Sequence, residues 1–187
     1  MKPTRPLPLF LLSVATGLVV VLGAFGWQHA AREKLLPARP LAPGISISEQ
    51  LQPQAMDVAR RKFTTVIDMR PDGEAGDEPS SEQMGAAARS MNLKFIYVPV
   101  PHGDIPESVV TSLSAALAGQ HGPVLLYCRS GRRAARSWSL VEASRSAGMS
   151  VDAILAAVKA SGQDADDLRG NLEKRVQARK PVGGTAT

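Results

Sequence analysis

The chain opens with one long apolar run and then alternates short β-branched runs with helical patterns. The opening run, from Leu7 to Trp27, contains 21 residues and no charge. At about 1.5 Å per residue, a helix of this length crosses a hydrocarbon core of about 30 Å. The pattern therefore predicts a transmembrane anchor or a signal segment over residues 7–27, after a basic tail at 1–6. Because the apolar region of a signal peptide is usually shorter, we favour the uncleaved anchor.

The charges beside this run favour one orientation. A short basic tail, with Lys2 and Arg5, precedes the run, and such tails normally stay inside the cell. We therefore expect a single-pass protein of a bacterial-type inner membrane, with the domain that follows in the periplasm. Pro37, Pro40 and Pro43 predict a stiff linker over residues 28–44.

The remaining pattern predicts one domain over residues 45–172 and a flexible tail over 173–187. Ser80 and Gln83 have the spacing of a capping box, which predicts a helix start. Strands are predicted at 45–48, 63–70, 93–100 and 123–128. Helices are predicted at 53–61, 80–91, 106–118, 133–147, 151–160 and 164–177. Strands that alternate with helices indicate an α/β fold with a mostly parallel sheet.

Composition narrows the possible functions. The net charge of +5 is concentrated in arginines between residues 129 and 145. One cysteine and three scattered histidines exclude an intramolecular disulfide and a thiolate-rich metal site. No nucleic-acid-binding signature accompanies the arginines, so we expect no nucleic-acid partner. No metal or organic cofactor is implied.

The single cysteine ends an apolar strand and is followed by "RSGRRAAR", which predicts a turn and then a helix. In a parallel sheet, ligands bind beyond the carboxyl ends of the strands, where Cys128 is expected to lie. Backbone N–H groups of such a turn favour a thiolate or a bound anion, and Gly131 lets the backbone curve closely. The candidate site therefore contains the cysteine and the five residues after it: Cys128, Arg129, Ser130, Gly131, Arg132 and Arg133. We interpret Cys128 as a nucleophile rather than a buried structural thiol, with an anionic small molecule or phosphorylated substrate.

The segment "VLLYCRSGRRAA" resembles the active-site segment of the beta-lactamase-hydrolase-like, phosphatase-like domain family. This family belongs to the protein tyrosine phosphatase-like superfamily and is also labelled a sulfur transferase. "ISISEQLQPQAMDVARRKFTTVIDMRPDGE", "FIYVPVP" and "VDAILAAVKASGQDADDLR" resemble its opening, middle strand and closing helices, so the likeness covers about residues 45–172. The resemblance implies a three-layer α/β fold with a central, mostly parallel sheet and a cysteine active site.

One departure from the phosphatase pattern leaves the chemistry open. Tyrosine phosphatases carry arginine six residues after the cysteine, but position 134 is Ala134 and the arginine is Arg133. This shorter loop resembles those of rhodaneses, which carry sulfur as a cysteine persulfide. Asp104 lies where the smaller phosphatases carry their acid, and it is equally suited to cap a helix. His102 is an alternative acid, although a surface role suits it better.

Three functions follow from these residues. The first is hydrolysis of a phosphate monoester by Cys128, Arg133 and Asp104. The second is sulfur transfer through a persulfide on Cys128. The third is a non-catalytic module that binds a phosphorylated partner. Asp68 and Asp72 are candidates to orient Arg133 or a loop, although a turn role suits Asp72 better.

Overall fold

The computed structural model describes residues 36–76 and 78–179. The segment predicted to cross the membrane, residues 7–27, lies outside this part. No helix within the described residues is both long and apolar enough to span a bilayer.

A five-stranded sheet forms the centre of the fold. Its strands are β1 (Arg39–Ala42), β2 (Ile45–Ser48), β3 (Thr65–Asp68), β4 (Lys94–Tyr97) and β5 (Val124–Tyr127). They lie in the order β1-β2-β5-β3-β4. Only the pair of β1 and β2 is antiparallel, and the other pairs are parallel. The prediction of an α/β fold with a mostly parallel sheet is therefore confirmed.

Six α-helices connect or follow the strands in the described residues. They are α1 (Ala55–Ala59), α2 (Ser81–Ser90), α3 (Glu107–Ala118), α4 (Arg132–Ser144), α5 (Val151–Ala160) and α6 (Arg169–Gln177), and a 3₁₀ turn (Asp166–Leu168) precedes α6. The predicted capping box is present, because the Ser80 side chain accepts from the N–H of Gln83 and the Gln83 side chain accepts from the N–H of Ser80. Local sequence therefore specifies where α2 begins.

Both faces of the sheet are covered, which gives three layers. On β5, Leu126 belongs to a core formed with α3, α4, α5 and α6, and the fully buried Trp138 of α4 lies in the same core. The adjacent Leu125 and Tyr127 belong to a second core formed with α1 and α2. Successive strand residues point to opposite faces, so this division follows from the period of two.

Two predicted boundaries differ from the structure. Residues 39–42, predicted as linker, form the edge strand β1, where the absence of a backbone N–H on Pro40 is tolerated. The predicted flexible tail begins within α6, which continues to Gln177. Beyond it, the Arg179 side chain donates hydrogen bonds to the carbonyls of Glu142, Ala143, Gly148 and Met149.

Candidate active site

Cys128 lies directly after β5, between the ends of its parallel neighbours β2 and β3. Its side chain is in the core, with 1% of the residue exposed. Its N–H donates to the Ser48 carbonyl at 3.4 Å, which continues the pairing with β2. The cysteine is therefore held by the sheet, at the edge where parallel α/β folds bind their ligands.

The loop after Cys128 leaves its N–H groups available. Gly131 has a left-handed φ of 83° and precedes α4. Neighbouring groups bind the loop through its carbonyls, since Gln50 donates to the Arg129 oxygen at 3.2 Å and Gln163 to the Ser130 oxygen at 2.9 Å. The N–H groups of residues 129–131 have no partner among the described residues. They provide an anion-binding site at the amino end of a helix.

Arg133 contacts both Cys128 and the loop after β3. Its Nη1 donates to Glu74 Oε1 at 2.5 Å and to the Val100 carbonyl at 2.8 Å, and its Nη2 donates to Glu74 Oε2 at 2.7 Å. Burial opposes the charge, but the hydrogen bond to Glu74 and the adjacent Cys128 raise the pKa of Arg133. The other two of its five N–H donors, on Nε and Nη2, lie side by side, and through this side the guanidinium is within hydrogen-bonding reach of Cys128.

Glu74 is the functional residue that sequence reasoning missed. Its side chain is 5% exposed, and besides Arg133 it binds Arg70 Nε at 2.9 Å and His102 Nε2 at 3.0 Å. The hydrogen bond from Arg133 is the main reason why the pKa of Glu74 is lowered. A signal was present in "RPDGE", which follows β3 and so reaches the same sheet edge as Cys128.

Neither aspartate considered for orienting Arg133 is bonded to it. Asp68 accepts a hydrogen bond from the Arg70 N–H at 2.9 Å, and burial raises the pKa of Asp68 to about 6. Asp72 accepts from the N–H and the hydroxyl of Ser81, both at 2.7 Å. Asp72 thus stabilises the start of α2, as a short polar side chain in a loop often does.

In the segment before α3, His102 and Asp104 line two different cavities. An open cavity of about 350 Å³ above the loop is lined by His102, Gly103, Ile105, Arg129, Ser130, Arg132, Arg133 and Arg136. Asp104 instead lines a neighbouring cavity of about 340 Å³, beside Leu140. Pro106 is the N-cap of α3 and no side chain caps this helix, so Asp104 is not its cap. The role of Asp104 as an acid stays a prediction.

No metal centre accompanies this site in the described part of the chain, where no group of three or more His, Cys, Asp or Glu side chains is arranged to hold an ion. The arrangement is a buried cysteine beside an arginine and a loop whose N–H groups are unpaired in the described part of the chain. Together with the three-layer arrangement, it belongs to the tyrosine phosphatase-like class of folds.

The comparison with family models makes this assignment more specific. Residues 38–147, more than half of the chain, match the model described as beta-lactamase hydrolase-like protein, phosphatase-like domain. The chain belongs to this family, as its sequence motifs predict.

A relative supports the family, and two solved structures support the fold. The Beta-lactamase hydrolase-like protein of Xylella fastidiosa is 35% identical over 105 residues, which are 52% of this chain and 24% of the relative. The chain thus spans about a quarter of that protein. A Neisseria meningitidis protein described as a candidate phosphatase is 27% identical, with a TM-score of 0.64 over 73% of this chain and 96% of its own. Tk-PTP, 17% identical, has a TM-score of 0.61 over 76% and 97%.

Proposed function

We propose that this domain is a cysteine-dependent phosphatase-like hydrolase that acts on a phosphate monoester. The observation that carries the proposal is the position of Cys128 between two sets of donors. One set is the N–H groups of residues 129–131, which have no partner among the described residues, and the other is the side of Arg133 that is turned away from Glu74 and towards Cys128. Donors in this arrangement stabilise a thiolate before the reaction and the phosphoryl oxygens during it.

The proposed reaction has two steps. The Cys128 thiolate attacks phosphorus while the bond to the leaving oxygen breaks, and that oxygen takes a proton from an acid. Water then attacks the phosphocysteine, gives a proton to the same group, and releases phosphate with the thiolate restored. We assign the acid to Asp104, on the segment that borders the cavity. Arg133 and the loop N–H groups hold the three phosphoryl oxygens in both steps.

Sulfur transfer is a second candidate, which two observations favour. Only four residues separate Cys128 from Arg133, and no carboxylate lines the cavity in the described part of the chain. In this reaction the thiolate attacks the outer sulfur of thiosulfate, and sulfite leaves. The resulting persulfide is then attacked by cyanide or a thiol, which takes the sulfur and restores Cys128. Neither step needs an acid in the cavity.

One preparation of the full-length chain tests both candidates. It is assayed for p-nitrophenyl phosphate hydrolysis and for thiosulfate-to-cyanide sulfur transfer, beside Cys128→Ser. Arg133→Lys removes the bidentate contact. Its matched control is Arg145→Lys, at the exposed arginine that directly follows the same helix.

The outcomes separate the functions. The hydrolase is supported if phosphate release is lost in Cys128→Ser, is reduced in Arg133→Lys and is unchanged in Arg145→Lys. Cysteine-dependent thiocyanate without phosphate release rejects it in favour of sulfur transfer. Absence of both activities, with anion binding retained, supports the non-catalytic module.

A further inference from the structure

The cavity above the loop that follows Cys128 is lined by several positively charged side chains. Among the described residues, no aspartate or glutamate lines this cavity. Four of its lining residues are arginines: Arg129, Arg132, Arg133 and Arg136.

These arginines differ in how their charge is balanced. Arg133 forms an ion pair with Glu74, and Arg136 forms a bidentate ion pair with Asp167. Arg129 and Arg132 are exposed, and neither forms an ion pair within residues 36–76 or 78–179. Two arginines without an ion-pair partner therefore line the same cavity as Arg133, one in the loop and one at the first position of α4, where the Asp167 carboxylate also attracts it.

The size and the lining residues of the cavity indicate which class of ligand it would bind. Its volume of about 350 Å³ lies within the usual range of small-molecule sites, roughly 300–1,000 Å³. Its lining includes no Phe, Tyr or Trp side chain from the described residues, and Ile105 is its one large apolar residue. The ring of an aromatic phosphate ester would have no aromatic side chain to stack against here. A compact, highly charged ligand could instead accept hydrogen bonds from the arginines that line the cavity.

We propose that Arg129 and Arg132 form a second anion subsite, and that the substrate is a small molecule with at least two anionic groups, such as a pyrophosphate or a bisphosphate. The inference rests on the proposed function, which places the reacting group on the loop N–H groups and Arg133. The second group is then bound by Arg129 and Arg132, because a guanidinium holds two anion oxygens at once.

The test measures binding, so that turnover is not needed. The full-length Cys128→Ser protein is titrated calorimetrically with orthophosphate and with pyrophosphate. We expect pyrophosphate to bind about tenfold more tightly, which corresponds to about 1.4 kcal/mol. Arg129→Ala and Arg132→Ala, each in the same background, should weaken pyrophosphate binding more than orthophosphate binding and so remove most of this preference.

Arg89→Ala is the matched control, since Arg89 is an exposed arginine of α2 without an ion pair in the described chain. It should retain the full preference. Equal affinity for the two anions would overturn the subsite while leaving the proposed function in place. Loss of preference in Arg89→Ala as well would also overturn it, since general attraction would then explain the result. Failure to bind either anion would overturn both proposals.

Discussion

Glu74 and Arg133 form a partly buried, bidentate ion pair at the carboxyl edge of the sheet. Both carboxylate oxygens accept hydrogen bonds, at 2.5 and 2.7 Å, from the two terminal nitrogens of the guanidinium. These residues are 59 positions apart: Glu74 lies in the loop after β3, and Arg133 lies in the first turn of α4. The pair fixes the plane of the guanidinium, so that its free donors stay beside Cys128 without a cost in side-chain entropy at each binding event.

Substitution of Glu74 tests this relationship. Glu74→Gln keeps the size of the side chain but removes its charge and one acceptor oxygen, so Arg133 loses its fixed orientation. We expect kcat/KM for p-nitrophenyl phosphate to fall about 10- to 100-fold, or about 1.4–2.7 kcal/mol. Steady-state kinetics measures the loss. Glu82→Gln, on the exposed first turn of α2, is the control, and equal activity in both variants would contradict the role of Glu74.

The identity of the acid is tested by two neighbouring variants. Asp104→Asn should lower kcat about 100-fold or more with phenyl phosphate, since proton transfer by a positioned acid typically contributes this much. The loss should be smaller with p-nitrophenyl phosphate, whose leaving oxygen needs less protonation. His102→Gln should change kcat less than threefold. The reverse pattern would assign the acid to His102, which already lines the cavity and contacts Glu74.

The buried carboxyl of Asp68 predicts a dependence of stability on pH. Burial raises its pKa from the ordinary 3.8 to about 6, against the opposing effects of Tyr127 and the Arg70 N–H. The folded protein therefore holds this proton more tightly than the unfolded chain does. The contribution of Asp68 to stability is complete below about pH 4 and is lost as the pH rises through about 6, by up to about 3 kcal/mol.

Asp68→Asn should remove this loss. Asparagine is uncharged and keeps an acceptor for the Arg70 N–H, so it resembles the protonated carboxyl. Urea unfolding should show the variant to be more stable than the parent at pH 8, with a much smaller difference at pH 4. Asp166→Asn, at an exposed aspartate, should show no such difference between the two pH values. A constant effect of Asp68→Asn at both pH values would contradict the explanation.

Gly131 is expected to be intolerant of any side chain. Its φ of 83° is unfavourable for alanine, and an added Cβ would lie 3.1 Å from Gln163 Nε2 and 3.4 Å from the Ser48 carbonyl. Gly131→Ala should lower the free energy of unfolding by about 1–2 kcal/mol and weaken anion binding, because the loop must shift. Chemical denaturation measures the first effect and phosphate titration the second.

Gly170→Ala is the matched control for that substitution. Gly170 lies in α6 with an ordinary φ, and an added Cβ there meets no atom within 4 Å. Alanine is the better helix former, so this variant should be neutral or stabilised by up to about 1 kcal/mol. Equal effects of the two substitutions would show that the loop tolerates a side chain at Gly131.

Much of the fold could be predicted from the local pattern of apolar, polar and turn-forming residues. The capping box of Ser80 and Gln83 predicts the start of α2 because its hydrogen bonds join residues three positions apart. Likewise, the apolar run before Cys128 predicts a buried central strand, and Gly131 with the helical pattern after it predicts a turn into α4. The order of these elements was enough to predict the fold class and the position of Cys128 at the ligand-binding edge. The family was indicated instead by the resemblance of the segments around Cys128 and elsewhere in the domain.

The relationships that the local pattern did not predict depend on distant parts of the chain. Residues 39–42 read as linker because their prolines are unfavourable in a central strand, and only pairing with β2 makes them an edge strand. Glu74 reads as part of an acidic turn, since nothing near it in sequence indicates that Arg133 approaches from 59 residues away. Similarly, whether His102 or Asp104 faces the cavity depends on how their segment packs against α4. By itself, the sequence determined which residues are available for chemistry, because residue type and local spacing are encoded along the chain. Tertiary structure decided which of them meet, because those contacts arise only when separate loops are brought to one edge of the sheet.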